Sequence, residues 1–295
     1  MTSPDHFLHI DDRTPTALTE LLDRAASLKA STPSTALANR TLAMLFEKES
    51  TRTRLSFETG MTQLGGHAIF VSPDDTQLGR GEPLKDTART VSRYVDAIMV
   101  RVFDHEDART IAEHASVPVI NGLTDVSHPC QTLADLLTIR EAFDSFDVKA
   151  AWVGDGNNVA QSFVLGCAMV GIDCAVATPH EYGIDESVLD RTAAFDGTIT
   201  TTTTPHEAVA NADVVATDVW VSMGEEAQRE QKLEAFDGFQ VNDTLLDDQR
   251  VLHCLPAHRG EEITNNVLES ERALVFEQAE NRLHAQNALL TTVID

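Results

Sequence analysis

Phe46-Glu47-Lys48-Glu49-Ser50-Thr51-Arg52-Thr53-Arg54 is the stretch on which the reading of this chain turns. Before it, the apolar run Thr41 to Phe46 reads as a short buried strand. After it, Leu55, Phe57, Met61 and Leu64 recur at helical spacing until Gly65-Gly66 stops the pattern. Ser50 therefore stands where a strand hands over to a helix. The N–H groups of a first helical turn have no intrahelical partner, and the helix dipole favours an anion in front of them. Ser50, Thr51 and Thr53 add hydroxyls, and Arg52 and Arg54 add guanidinium forks that match phosphate oxygens. A Ser-capped helix with surface arginines is the plainer alternative. Three hydroxyls and two arginines at one helix start favour an oxyanion site. The Gly and Lys spacing of a Walker loop is absent.

Working outward, the same alternation repeats. Asp11 to Lys29 carries a helical face of Leu18, Leu21, Leu22, Ala25 and Leu28 after the start signal Thr14-Pro15. Strands are expected at His67 to Val71, Ala97 to Arg101 and Val117 to Ile120, with helices from Glu82-Pro83 to about Tyr94 and from Glu106 to His114. A second series has strands at Ala150 to Val153, Cys174 to Ala177, Ile199 to Thr204, Val214 to Thr217 and Val251 to Leu255, and a helix from Val159 to Val170. Pro129 to Phe143 reads as a helix bridging the two series, and about Glu280 to Leu290 as the last helix. Strands alternating with helices imply an α/β protein of two domains, each a mostly parallel sheet flanked by helices, with a cleft between them. The length of 295 residues fits two such cores.

Composition narrows the function classes. The formal net charge, 22 − 47 = −25, argues against nucleic acid and anionic membranes as partners. No apolar run is long enough to span a bilayer and Met1 to His9 lacks a signal pattern, so a cytoplasmic location is expected. Cys130, Cys167, Cys174 and Cys254 form no Cys-x-x-Cys pair, so neither a disulfide framework nor a zinc knuckle is expected. The acid is spread along the chain, which is the pattern of a surface adapted to high salt.

Ligands of open α/β sheets gather beyond the carboxyl ends of the strands. The chemically rich residues fall at such ends: Arg101, His128-Pro129-Cys130-Gln131, Asp155 to Asn158, Asp218 to Gly224, and His253-Cys254-Leu255-Pro256. His128 with Cys130 is a weak metal pattern, since it lacks a second pair of ligands. Gly154-Asp155-Gly156-Asn157-Asn158-Val159 approaches a dinucleotide fingerprint. However, Val159 holds the third glycine position and no acid stands at Thr178, so a nicotinamide oxidoreductase is the distant alternative.

The stretch Ser50-Thr51-Arg52-Thr53-Arg54 closely resembles the carbamoyl phosphate signature of the aspartate/ornithine carbamoyltransferase family. Phe46-Glu47-Lys48, the Asp218-Val219-Trp220-Val221-Ser222-Met223-Gly224 loop and His253-Cys254-Leu255-Pro256 are similar to its ornithine branch. Glu280-Asn281-Arg282-Leu283-His284 is similar to its closing helix. The resemblance runs from about Phe46 to Gln286. It implies transfer of a carbamoyl group from carbamoyl phosphate to the δ-amine of ornithine, in arginine metabolism in either direction, without metal or organic cofactor. It implies a carbamoyl phosphate domain at residues 1–135, with a helix at about 280–295 packing back on it, and an ornithine domain at 136–279.

Carried over residue by residue, the resemblance has Ser50, Thr51, Arg52, Thr53 and Arg282 hold the phosphate, with Gln77 able to reach a neighbouring subunit. Arg101, His128 and Gln131 address the carbamoyl end, with the backbone of Cys254 and Leu255 nearby. Asn158, Asp218, Ser222 and Met223 hold the amino acid, and Asp218 and Cys254 orient its amine. A homo-oligomer built on trimers is implied. Aspartate as acceptor is the nearest alternative and another amine or amino acid the next, but no Arg or Lys lies between Asp218 and Gly224 to hold a second carboxylate.

Overall fold

In a computed structural model that describes residues 4–72, 81–222 and 224–294, Thr41–Phe46 is strand β1, buried along almost its whole length. Burial on both faces is what a central strand of a parallel sheet requires, and it explains the unbroken apolar run. β1 lies between β2 (His67–Val71) and β3 (Ala97–Arg101), and β4 (Val119–Leu123) pairs with β3, giving the order β2-β1-β3-β4, all parallel. The edge strand β2 is partly exposed. This sheet belongs to a compact unit spanning Met1–Ala134 and Asn281–Asp295. It also contains helices α1 (Pro15–Ser31), α2 (Thr51–Gln63), α3 (Leu84–Val91) and α4 (His105–His114).

The second unit, Asp135–Glu280, is built on a five-stranded parallel sheet in the order β7-β6-β5-β8-β9. Its strands are β5 (Lys149–Val153), β6 (Asp173–Ala177), β7 (Ile199–Thr202), β8 (Val214–Thr217) and β9 (Arg250–His253). Helix α5 (Pro129–Phe143) carries the chain into this unit and α11 (Val275–Val293) carries it out; between them lie α6 (Asn158–Met169), α7 (Glu186–Thr192), α8 (Pro205–Val209), α9 (Arg229–Ala235) and α10 (Asn265–Leu268). Val153, Val215, Val251, Phe236 and Ile263 centre its core. No described helix is long and apolar enough to cross a membrane.

Several boundaries differ from expectation for identifiable reasons. β4 starts at Val119, not Val117, because Pro118 has no N–H to give the ladder; its carbonyl instead accepts from Ile98. β4 also runs on through Asn121 and Gly122, residues that disguise a strand. β7 stops at Thr202, and Thr204 becomes the N-cap of α8 with Pro205 at its first position. α3 ends at Val91, where the Ser92 hydroxyl donates back to the Ala88 carbonyl at 2.6 Å. α11 begins at Val275, earlier than Glu280, with Leu274 and Val275 buried in the second unit's core region. The short helices α7 to α10 are too brief to show a period.

The loop after β5 is held close to a neighbouring backbone. Gly156 N–H donates to the Tyr182 carbonyl at 2.8 Å, and a Cβ at Gly156 would meet the Gly183 carbonyl at 2.5 Å. Glycine is therefore required there by close approach, not by a nucleotide phosphate.

Candidate active site

The first unit assembles a cationic half-site. Ser50 caps α2: its Oγ accepts from Thr53 N–H at 3.2 Å and donates to Thr53 Oγ1 at 3.1 Å. Thr51 and Arg52 form the rest of that first turn. Arg282, on α11, donates from Nη2 to Thr53 Oγ1 at 3.2 Å and from Nη1 to Gln131 Oε1 at 2.8 Å. With its amide oxygen facing the guanidinium, Gln286 accepts from Arg282 Nε and Nη2 and donates to Ser56. Arg101, at the end of β3, is clamped reciprocally to the signature. Its Nε donates to the Lys48 carbonyl at 3.0 Å, while its own carbonyl accepts from the N–H groups of Glu47 and Lys48.

His128 opens α5, where its carbonyl accepts from Gln131 and Thr132. It is buried, and burial holds its pKa well below the ordinary 6.5; the positive charges of Arg282, Arg101 and Lys48 push it further down. The imidazole is therefore neutral at pH 7. Cys130, next to it, is fully buried with its thiol pushed up to about 12, and its Sγ donates to the Asn121 carbonyl. That makes Cys130 a core residue and not a reactive thiol. Arg54 departs from the expected phosphate grip: its guanidinium pairs with Glu58 at 3.0 Å and lies 3.8 Å from the Phe70 ring centre.

The second unit assembles an anionic half-site. Asp218, beyond the end of β8, is buried. Its Oδ1 accepts from Cys254 Sγ at 3.0 Å and its Oδ2 from Asn157 Nδ2 at 3.1 Å. Asn157 also caps α6, accepting from the N–H groups of Val159 and Ala160. The expected residue, Asn158, is the buried first residue of α6, so two adjacent asparagines share this corner. His253 ends β9 with a defined tautomer: Nδ1 accepts from Leu255 N–H at 2.9 Å, so Nε2 is the donor to Glu262 Oε1 at 3.0 Å. Cys254 and Leu255, expected at the carbamoyl end, are thus placed within the second unit, Leu255 with φ 58°. Ser222 N–H donates to Glu225 Oε2 at 2.9 Å. Gln77 and Met223 lie outside the described residues.

The sequence motifs include Lys48 and Asn157 without giving either a role, and Glu262 and Gln286 stand out in no motif. The N-cap position of Asn157 before Val159-Ala160 was a usable signal; the others act through long-range packing that no local pattern reveals. Two groups bring three potential metal ligands within 4.8 Å of one another: Asp218, His253 and Cys254, and His258, Glu261 and Glu262. In the first, hydrogen bonds among these residues and to Asn157, Leu255 and Glu262 account for the arrangement. In the second, Glu261 pairs with Arg229, and Glu262 Oε1 accepts from His253 and from the His258 N–H.

Comparison with known proteins gives a consistent result. Residues 5–141 match the family described as aspartate/ornithine carbamoyltransferase, carbamoyl-P binding domain, and residues 146–293 match its Asp/Orn binding domain. The ornithine carbamoyltransferase of Haloquadratum walsbyi is 60% identical over 297 residues, covering 100% of this chain and 99% of that one. The catabolic ornithine carbamoyltransferase of Halobacterium salinarum is 50% identical, with 99% of each chain covered. The solved ornithine carbamoyltransferase of Pyrococcus furiosus superposes with a TM-score of 0.94 at 47% identity, covering 99% of this chain and 97% of that one.

The His128 environment makes a stability prediction. Its folded pKa lies below 6.5, so as pH falls through that value the unfolded chain takes up a proton that the folded chain resists. The stability from a neutral His128 is present above pH 6.5 and is lost toward acid, with a slope of at most about 1.4 kcal/mol per pH unit. Denaturant melts from about pH 8 to pH 5 should show wild type losing more stability than His128→Asn. Parallel curves would remove the assignment.

Proposed function

The chain belongs to the aspartate/ornithine carbamoyltransferase family, and we propose that it transfers the carbamoyl group of carbamoyl phosphate to the δ-amine of L-ornithine, giving L-citrulline and phosphate. The observation that carries the choice of acceptor is the sign of the second half-site. Asp218 is buried and oriented by Asn157 and Cys254, and no Arg or Lys lies between Asp218 and Gly224. Such a site suits an amine. A second carboxylate, as in aspartate, would face repulsion from Asp218 that little solvent screens.

In this reading Ser50, Thr51, Arg52, Thr53 and Arg282 hold the phosphate, which matches the capped helix start and the guanidinium that meets it. Gln77 is assigned the same role on resemblance alone. Arg101, His128 and Gln131 address the carbamoyl group, joined by the backbone of Cys254 and Leu255. A neutral imidazole donates a hydrogen bond to the carbamoyl oxygen without itself being an acid that consumes the amine. Asn158, Asp218, Ser222 and Met223 hold ornithine, and the structure adds Asn157 as the side chain that aims Asp218.

The δ-amine, with a pKa of roughly 10.4 when free, attacks only in its neutral form. The C–N bond forms and the carbamoyl oxygen takes up negative charge; as the C=O re-forms, the bond to the phosphate oxygen breaks, and the proton the nitrogen gives up ends on the departing phosphate. Asp218 and Cys254 orient the amine. Phosphate is already a good leaving group, so the chemistry calls for positioning and oxyanion stabilisation.

We further infer a cytoplasmic homo-oligomer built on trimers and adapted to high salt. The described cysteines form no disulfide. Leu55, Ile69, Tyr94 and Phe103, all on the first unit, are large apolar side chains left exposed, which favours an apolar subunit contact there. The net charge of −25 supports the salt adaptation.

Two outcomes are expected. Purified enzyme with carbamoyl phosphate should form citrulline from ornithine and no carbamoyl product from aspartate. Asp218→Asn should lower ornithine turnover by about 100-fold or more, while carbamoyl phosphate still binds. Aspartate turnover at a comparable rate would contradict the acceptor assignment. Dilution from about 2 M to about 0.1 M salt lengthens the Debye length to about 10 Å. Sedimentation and activity should then both fall, and unchanged assembly and activity would remove the salt adaptation.

A further inference from the structure

Lys232, on α9, is a lysine buried almost completely, with its side chain 3% exposed. Its ammonium donates to Asp155 Oδ2 at 2.7 Å and to Glu225 Oε2 at 2.6 Å. Each partner stands at a functional loop. Asp155 immediately precedes Gly156-Asn157, and Asn157 orients Asp218. Glu225 Oε2 is the same oxygen that accepts the Ser222 N–H. The ammonium also lies 5.4 Å from the Tyr182 ring centre, and the Tyr182 carbonyl accepts the Gly156 N–H. Two ion pairs from one side chain therefore reach the two loops that carry the residues assigned to the amino acid, and the same ammonium approaches the ring of Tyr182, whose carbonyl holds the first of them.

The electrostatics point the same way. Burial, joined by the charges of Glu225 and Asp218, raises Asp155 to about 6 even with Lys232 beside it. Burial disfavours the Lys232 ammonium, but its bonds to Asp155 and Glu225 outweigh that and leave its pKa raised. A buried cation so placed is costly unless both partners are kept. It is therefore a specific feature of this unit and not a solvated surface charge. Its one positive charge is shared by Asp155 and Glu225, while Asp218 is the carboxylate addressed by Asn157 and Cys254.

We propose that Lys232 is a positioning residue for the acceptor amino acid: through Asp155 and Glu225 it fixes the loop after β5 and the Ser222 loop relative to each other. The inference rests on ornithine being the acceptor. It acts on ornithine recognition and leaves the carbamoyl phosphate half-site, in the other unit, untouched. A merely structural lysine would lower stability and affect both substrates alike.

The test is steady-state kinetics on the full-length enzyme, varying each substrate with the other saturating. Lys232→Met should raise KM for ornithine by about tenfold or more, with KM for carbamoyl phosphate within about twofold of wild type. Lys232→Arg, which keeps the cation and its donors, should recover most of the loss. Glu225→Gln removes one partner at the more exposed end of the network, with 36% of the side chain exposed, and should raise KM for ornithine by about threefold or more. An unchanged ornithine KM in Lys232→Met, or equal increases for both substrates, would overturn the proposal. Should Lys232→Met not fold, Glu225→Gln decides, and wild-type kinetics for it would overturn the proposal. Wild type that forms no citrulline from ornithine would instead defeat the reading of the acceptor.

Discussion

The first unit depends on one guanidinium. Arg282 reaches Gln131 and Thr53 across sequence separations of 151 and 229 residues. It thereby joins the start of α2, the start of α5 and the returning α11. Gln131, Thr53 and Gln286 are neutral acceptors that orient the cation. The same charge, with Arg101 and Lys48, keeps His128 uncharged. A helix start, a fixed cation and a neutral imidazole are then available together. The helix start is capped locally by Ser50, whereas the cation and the imidazole owe their setting to distant segments.

The second unit has the opposite sign and the same logic. Asp218, Asp155 and Glu225 gather around a single lysine and two neutral donors, Asn157 and Cys254. In both units the functional loops follow the carboxyl ends of parallel strands, where the sheet presents its connections on one edge. The fold supplies the edge, and the side chains supply the sign. On the proposed reading, carbamoyl phosphate, an anion, belongs with the cations of the first unit, and the amine of ornithine with the carboxylates of the second.

Much of this was legible in the sequence. The strand-to-helix turn at Ser50 was readable because an apolar run, a capping hydroxyl and a helical period meet within a few residues. The expected bounds of α5, Pro129 to Phe143, match the structure because Pro129 opens the helix and Leu133, Leu136, Leu137 and Ile139 keep a strong period. The rest was hidden for physical reasons. Lys232 reads as a surface cation on a short polar helix; only the fold places it against Asp155, 77 residues away. Glu262 appears as one of several acids, yet it is completely buried and holds His253. Arg54 looks equivalent to Arg52, but two residues further along, on roughly the opposite face of the helix, it is aimed at Glu58 and Phe70. Local patterns encode elements, whereas buried polar networks are encoded in pairs far apart in the chain.

On the proposed reading, the capped start of α2 grips the anionic substrate. Arg52 tests it most directly, because it is half-buried on that first turn and its side chain makes no hydrogen bond or ion pair among the described residues. Its loss should leave the fold intact. Calorimetric titration of carbamoyl phosphate, without ornithine, into wild type and Arg52→Ala is the measurement. The account predicts binding by wild type, a loss of roughly 1.5–3 kcal/mol in the variant, and an unchanged melting temperature. Equal affinity for carbamoyl phosphate in the two proteins would contradict it.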